Sequence, residues 1–284
     1  MAAMPESPRD AAACRVRRQV SVRTAGTVRE VTDEVAQEVP VAFLYNGTSH
    51  AVMLATPADL EDFARGFSVT EGIVPMARPP RRIAVRALLT GIEVAVDIAE
   101  VDAAALAEQS RALPGRSGCG VCGTRDLERA MRWPRPVTAH APLAPGALDE
   151  ALRTLPEWQQ LNDGTGTVHA AAFADRSGVI HALREDIGRH NALDKLIGAL
   201  LAAGRDPADG FVVVTSRASY EMVQKAASVG IPCLVAMSGP TELAVRMAES
   251  ANLTLVGFAA RERHVVYTHG WRLDGAAPRS VSPR

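Results

Sequence analysis

Two cysteines in a glycine-rich segment are the residues of this sequence best suited to chemistry. Cys119 and Cys122 form a C-x-x-C pair inside the run Gly118–Gly123, and Arg116 and Arg125 stand on either side of it. Neighbouring guanidinium groups favour the thiolate, which is the form of cysteine that attacks sulfur or binds a metal. Glycines leave the backbone free to adopt many conformations, so such a thiolate could move between two partners.

Several interpretations of this pair compete. A zinc site needs four ligands, usually from a second cysteine pair or from clustered histidines, and His140 is the only histidine nearby. A thioredoxin-like redox pair normally lies between a strand and a helix, whereas glycines flank this pair on both sides. A dinucleotide-binding loop needs a preceding strand and an acidic residue about 20 positions later, and residues 113–117 and 139–143 provide neither. A carrier that holds sulfur as a persulfide and an inert surface loop complete the set.

Polar turns follow three apolar strands predicted in the second half of the chain. They lie in the runs 184–195, 215–221 and 238–241. Ligands commonly bind where the strands of an α/β sheet end, and the N-termini of the helices that follow attract anions. We therefore expect a phosphate-bearing ligand at this edge of the sheet, although helix caps with local ion pairs would account for the same residues.

The residues expected to contact this ligand are polar or charged. His169 precedes an earlier strand and could line the same cleft or be purely structural. The only two lysines among the 31 basic residues lie on helices that begin at these turns. A coding bias toward arginine explains their rarity, and we expect the two that remain to occupy positions where a guanidinium would not serve. The complete set is His169, Asp186, Arg189, His190, Asn191, Lys195, Ser216, Arg217, Ser219 and Lys225.

The hydrophobic pattern predicts an α/β protein in two parts. The first part is an α+β, β-rich domain with hairpins at Asn46-Gly47 and Thr90-Gly91, because asparagine and glycine suit tight turns. In the second part, helices alternate with short apolar strands, which predicts a three-layer domain with a mostly parallel sheet. A stretch with four prolines, 132–145, is the predicted linker. The predicted boundaries are a tail at 1–13, a domain at 14–140 with the C-x-x-C loop at 113–124, a domain at 141–270 and a tail at 271–284.

Composition excludes several classes of function. The net charge is −1, so a globally cationic surface for nucleic acid is not expected. Residues 1–13 lack the apolar run of a secretory signal, and no run of about 18 apolar residues predicts a membrane span. Four cysteines in 284 residues do not form a disulfide framework. We therefore expect a cytoplasmic protein.

Five motifs together resemble the formate dehydrogenase accessory sulfurtransferase family (FdhD/NarQ). Their order and spacing match from about residue 20 to 270. Thr167 stands where the family usually has a glycine, Leu193 replaces another aliphatic residue, and Ala259 stands where the family often has a cysteine. The motifs are Gly118–Gly123, Thr165–Ala171, Glu185–Lys195, Ser216–Glu221 and Thr254–Phe258.

The resemblance implies a function in cofactor maturation. Members of the family take persulfide sulfur from a cysteine desulfurase and pass it to the molybdenum bis(guanine dinucleotide) cofactor, which the formate dehydrogenase catalytic subunit requires. Cys119 would carry the persulfide and Cys122 would assist. The protein would bind this cofactor as its substrate. The cofactor has two guanine nucleotides, so the resemblance also implies a homodimer. A chaperone that delivers the cofactor without sulfur transfer is the alternative. By match to the family, a further segment would contact the cofactor; it consists of Phe258, Ala259, Ala260, Arg261, Glu262 and Arg263.

The family's second domain is also similar to the cytidine deaminase fold. The deaminase signature places H-x-E at one helix start and P-C-x-x-C at the next. The corresponding positions here are His190–Ala192 and Ser216–Ser219, so the glutamate and both cysteines are replaced. We therefore expect the fold without a metal site and without catalytic zinc.

Overall fold

The computed structural model describes residues 14–111, 133–139 and 141–274. Within these residues, no helix is long and apolar enough to cross a membrane. The described residues of the first part form six strands and two helices. The strands are β1 (Arg15–Thr24), β2 (Thr27–Ala36), β3 (Val39–Tyr45), β4 (Thr48–Ala55), β5 (Arg82–Leu88) and β6 (Gly91–Asp97), and the helices are α1 (Leu60–Thr70) and α2 (Glu100–Arg111).

The second part contains the remaining strands and helices. Its strands are β7 (His169–Asp175), β8 (Ile180–Asp186), β9 (Gly210–Val214), β10 (Cys233–Ala236), β11 (Thr254–Ala260) and β12 (Arg263–Thr268). Its helices are α3 (Ala147–Trp158), α4 (Gln160–Thr165), α5 (Arg189–Ala202), α6 (Tyr220–Ser228), α7 (Glu242–Ser250) and α8 (Trp271–Asp274), with a short 3₁₀ turn at Pro207–Asp209.

The four-stranded sheet has the order β4-β3-β6-β5 and contains both predicted hairpins. At the first hairpin, Asn46 and Gly47 have φ values of 47° and 82°. Both residues therefore adopt the left-handed conformation that the sequence predicted, and this prediction is confirmed. A separate ribbon is formed by β1 and β2.

The six-stranded sheet has the order β12-β11-β10-β9-β7-β8. Only β9–β10 and β10–β11 are parallel, whereas β7–β8, β7–β9 and β11–β12 are antiparallel. The prediction of a mostly parallel sheet is therefore wrong. The turns at 176–179 and 261–262 are too short for the crossover that a parallel pair requires, and α5 carries the chain to the far side of β7.

The two parts pack together where α1 crosses α5. A Cβ atom built on Gly66 would lie 1.8 Å from the carbonyl oxygen of Asp194, and one on Gly198 would lie 1.9 Å from that of Asp62. Only glycine permits backbones to approach this closely. One apolar core therefore extends through both parts, including Phe43, Phe63 and Leu196.

A buried arginine holds α8 against the rest of the described protein. Arg272 of α8 is 0% exposed, and its guanidinium donates to the carbonyl oxygens of Ala139 and Asn252 at 3.0 and 2.8 Å. Burial lowers the pKa of Arg272 to about 10. The sequence predicts a tail from residue 271, whereas residues 271–274 form α8, and these hydrogen bonds of Arg272 hold that helix in place.

Candidate functional site

The strand ends of the second sheet gather the predicted site residues along one edge. We define the carboxyl edge as His169 together with residues 186–191, 215–221, 237–241 and 257–263. Because β7 is antiparallel to β8 and β9, His169 at its start lies opposite Asp186 at the end of β8. The expectation that the three turns share one edge is confirmed.

Hydrogen bonds join neighbouring turns of the carboxyl edge. The amide of Thr241 donates to the carbonyl of Ala218 at 3.0 Å, and the amide of Phe258 donates to the carbonyl of Ser238 at 3.1 Å. Ala218 and Pro240 also form a parallel bridge. The second and third turns and the end of β11 therefore form one continuous surface.

Asp186 organises the first turn from inside the protein. It is 0% exposed, and its Oδ1 accepts hydrogen bonds from the Gly188 amide at 2.8 Å and from Asn191 Nδ2 at 2.9 Å. Asn191 also donates to the carbonyl of Leu54 at 2.9 Å. Asp186 and Asn191 thus fix the backbone that presents Arg189 and His190.

The two lysines lie beneath the carboxyl edge rather than on its surface. Lys195 Nζ is 2.6 Å from Asp186 Oδ2, and both side chains are 0% exposed. Lys225 Nζ is 2.9 Å from Asp194 Oδ2 and 2.7 Å from Glu71 Oε1. Each ammonium group therefore meets protein acceptors that converge on one point, a geometry that a planar guanidinium does not match.

Buried charge shifts the pKa values around Lys225. Burial opposes its charged form, yet Asp194 and Glu71 raise the pKa of Lys225 above its usual range. Burial and the neighbouring Glu71 raise the pKa of Asp194, against the effect of Lys225. The aspartate and lysine form an ion pair that joins α5 to α6 and, through Glu71, to the end of α1.

Two histidines and an arginine provide the polar groups near the first turn. His190 Nε2 lies 2.9 Å from Glu221 Oε2 and 3.4 Å from Ser219 Oγ. Although burial opposes it, the hydrogen bond from His190 lowers the pKa of Glu221. Burial and nearby Arg189 lower the pKa of His169, so its imidazole is neutral near pH 7.

The arginine near the first turn has a buried hydrogen-bond donor without a partner among the described residues. Arg189 Nε is buried and has no hydrogen-bond partner within the part of the chain that the structure describes. Buried polar atoms normally have a partner. An anion oxygen at this position, beside the N-terminus of α5, would supply one.

The second turn and the β11–β12 hairpin complete the carboxyl edge. Ser216 is buried and donates to the carbonyl of Arg217 at 3.0 Å, whereas the Arg217 side chain is exposed. Phe258 has a φ of 50° and a side chain that is 45% exposed. Its ring covers Gly239, because a Cβ atom there would lie 2.7 Å from the ring.

The residues of the β11–β12 hairpin, 258–263, differ in whether their side chains are exposed. Ala259 is 1% exposed, so its side chain points into the core. The rest of the segment is exposed and consists of Ala260, Arg261, Glu262 and Arg263. Two guanidinium groups and one aromatic ring are therefore accessible here.

Sequence reasoning missed two residues of this arrangement. Thr56, which follows β4, donates to Asp186 from its hydroxyl at 2.9 Å, and Glu221 pairs with His190. Glu221 lies in a motif that the sequence singles out, so a cross-turn pair could have been considered. Thr56 lies 130 residues from its partner, and nothing local indicates the contact.

The predicted persulfide site falls outside the described residues. This applies to Cys119 and Cys122, to the flanking Arg116 and Arg125, and to His140. The other two cysteines, Cys14 and Cys233, are buried. Burial raises the pKa of the Cys233 thiol to about 12, so it is not a nucleophile near neutral pH.

These features define the class of protein: a mixed α/β protein with polar and basic turns at the ends of its central strands. More particularly, the chain belongs to the FdhD/NarQ family, whose model matches residues 36–274.

Relatives and a solved structure agree with this assignment. A protein of Xanthomonas euvesicatoria pv. vesicatoria named sulfur carrier protein FdhD is 52% identical over 257 residues, which cover 90% of this chain and 92% of that protein. A protein of the same name from Cupriavidus necator is 52% identical over 245 residues, covering 86% and 85%. A crystal structure from Desulfotalea psychrophila, described as a candidate formate dehydrogenase accessory protein, has the same fold, with a TM-score of 0.71 and 24% identity over 92% of this chain and 99% of that one.

Proposed function

We propose that this protein is a sulfurtransferase of the cytoplasm that activates a formate dehydrogenase. It accepts sulfur from a cysteine desulfurase and gives it to the molybdenum bis(guanine dinucleotide) cofactor that the catalytic subunit of the dehydrogenase requires. One observation carries this proposal. The chain is 52% identical to two proteins named sulfur carrier protein, over most of the length of both chains.

Cys119 is the proposed sulfur carrier. Its thiolate attacks the outer sulfur of the desulfurase persulfide, so that one S–S bond forms as another breaks and the desulfurase cysteine leaves as a thiolate. The outer sulfur moves without any net oxidation or reduction. Cys122 assists in passing it on: its thiolate attacks the inner sulfur of the persulfide, the Cys119–Cys122 disulfide forms, and the outer sulfur leaves with the electron pair as sulfide. Arg116 and Arg125 favour the thiolate.

The carboxyl edge is the proposed site for the guanine nucleotide ends of the cofactor, which is the substrate. Arg189 Nε is a buried donor in need of a partner, and the N-termini of α5 and α6 lie beside it. Arg217, Arg261 and Arg263 are exposed and suit phosphate groups. The exposed ring of Phe258 offers a base a surface for stacking. Lys195 holds the first turn from below through Asp186, whereas Lys225 is buried against Asp194 and Glu71.

Two further proposals concern the fold of the second part and the oligomeric state. The second part, residues 141–270, is proposed to have the cytidine-deaminase-like fold, with Ser216 and Ser219 where that fold has zinc-binding cysteines. Two nucleotide ends on each cofactor suit a homodimer in which each protomer binds one of them.

Complementation of a strain that lacks this protein tests the proposed function. Cys119→Ala is expected to abolish formate dehydrogenase activity while leaving GDP binding intact, because the thiol acts on sulfur and the carboxyl edge acts on the nucleotide. Cys233→Ala is the matched control, since that thiol is buried. Full activity with Cys119→Ala would contradict the persulfide role and favour a chaperone that delivers the cofactor without transferring sulfur.

A further inference from the structure

The end of β4 forms the support on which the first turn rests. The Thr56 amide and hydroxyl both donate to Asp186 Oδ2, at 3.0 and 2.9 Å. Two residues earlier, the carbonyl of Leu54 accepts the hydrogen bond from Asn191. Residues 54–56 of the first part therefore fasten the turn of the second part that presents Arg189 and His190.

Lys195 closes this cluster. Its ammonium donates to the Thr56 hydroxyl at 2.8 Å and to the Thr56 carbonyl at 3.1 Å, and it pairs with Asp186. The hydroxyl accepts from the lysine while it donates to the aspartate, so it joins the two charges. Thr56, Asp186 and Lys195 are each 0% exposed, so no water can replace a missing partner without rearrangement.

We propose that Thr56 is a positioning residue for ligand binding at the carboxyl edge. This inference rests on the proposed function. Thr56 touches no ligand itself. It fixes the orientation of the Asp186 carboxylate, whose other oxygen holds the Gly188 amide, and so it keeps Arg189 Nε and the N-terminus of α5 directed at one point.

A second threonine provides a matched control. Thr56 precedes α1, and Thr70 is the last residue of that helix. The Thr70 hydroxyl donates to buried Asp194 at 2.7 Å. Lys225 Nζ donates to Thr70 Oγ1 at 3.1 Å, and Thr70 is 3% exposed. Both threonines thus join a buried lysine to a buried aspartate, but the aspartate bonded to Thr70 holds no turn of the carboxyl edge.

The test compares Thr56→Val, Thr56→Ser and Thr70→Val in the full chain. Calorimetric titration with GDP and hydrogen exchange of the amides at 186–191 are measured for each. Thr56→Val is expected to weaken GDP binding about tenfold and to speed exchange at 186–191 by a similar factor, as the loss of a hydrogen bond to a buried charge implies. Thr56→Ser keeps the hydroxyl and restores both values. Thr70→Val changes neither.

Two results would overturn the inference. One is unchanged exchange and GDP affinity in Thr56→Val, and the other is an equal loss in Thr70→Val, which would show general destabilisation. If the wild-type protein does not bind GDP, the nucleotide part of the proposed function fails, and exchange at 186–191 still decides whether Thr56 positions the turn.

Discussion

Lys195 Nζ and Asp186 Oδ2 lie 2.6 Å apart, and neither side chain is exposed to solvent. Lys195 lies in the second turn of α5, and Asp186 is the last residue of β8. The pair therefore connects the carboxyl edge to the interior of the protein. An ion pair this deeply buried costs much desolvation, so removal of one partner leaves an uncompensated charge.

The first prediction concerns this pair. Lys195→Met is expected to lower the free energy of unfolding by about 3–5 kcal/mol, because it strands the buried Asp186 carboxylate. Urea unfolding followed by circular dichroism measures the change. Arg153→Ala, which breaks an exposed pair with Glu150, serves as the control and should leave the midpoint unchanged. A midpoint in Lys195→Met equal to that of the wild type would contradict the buried pair.

The second prediction concerns the crossing of α1 and α5. Gly198→Ala is expected to lower the free energy of unfolding by about 1–3 kcal/mol or more, because the new Cβ atom would meet the Asp62 carbonyl at 1.9 Å. Thermal unfolding measures the change. Ala202→Ser, at an exposed position near the end of the same helix, is the control. Equal melting temperatures for both variants would show that the helices do not approach so closely.

The third prediction separates the carboxyl edge from the sulfur step. Arg189→Met is expected to weaken GDP binding about tenfold, because the substitution removes the buried Nε that would donate to a phosphate oxygen. Loading of sulfur onto Cys119 should continue. Arg246→Ala, on the exposed side of α7, is the control and should bind GDP normally. Wild-type GDP affinity in Arg189→Met would remove Arg189 from the binding site.

The fourth prediction concerns the cysteines that the structure describes. Iodoacetamide at pH 8 is expected to leave Cys14 and Cys233 unmodified in the folded protein, because both are buried and burial holds the pKa of Cys233 near 12. Peptide mass spectrometry measures alkylation at each site, and the same reaction in urea is the control in which both are modified. Rapid alkylation of Cys233 in the folded state would contradict its burial.

Local patterns in the sequence predicted much of the fold. The Asn46-Gly47 hairpin needs only two residues that tolerate positive φ, and the turns after β8, β9 and β10 follow from apolar strands that end in polar residues. The sheet's strand directions could not be predicted in this way. They depend on which side of β7 the chain reaches after α5. That position is set by packing between distant elements, such as the contact of Gly66 with α5.

The candidate site shows the same division. The sequence identified Asp186 and Lys195 as polar residues at a strand-to-helix turn, but their partner Thr56 comes from the other part of the chain. Periodicity does not show whether a lysine on a helix points outward to a ligand or inward to an aspartate. Its burial is decided by the cluster of acceptors around it, which long-range contacts assemble.

The central claim is that Cys119 carries sulfur, and mass spectrometry tests it most directly. The protein is incubated with a cysteine desulfurase and cysteine, and the peptide that contains Cys119 and Cys122 is then weighed without reduction. We predict a gain of one sulfur atom on this peptide in the wild type, lost again on treatment with a thiol reductant and absent in Cys119→Ala. A peptide of unchanged mass in the wild type would contradict the claim.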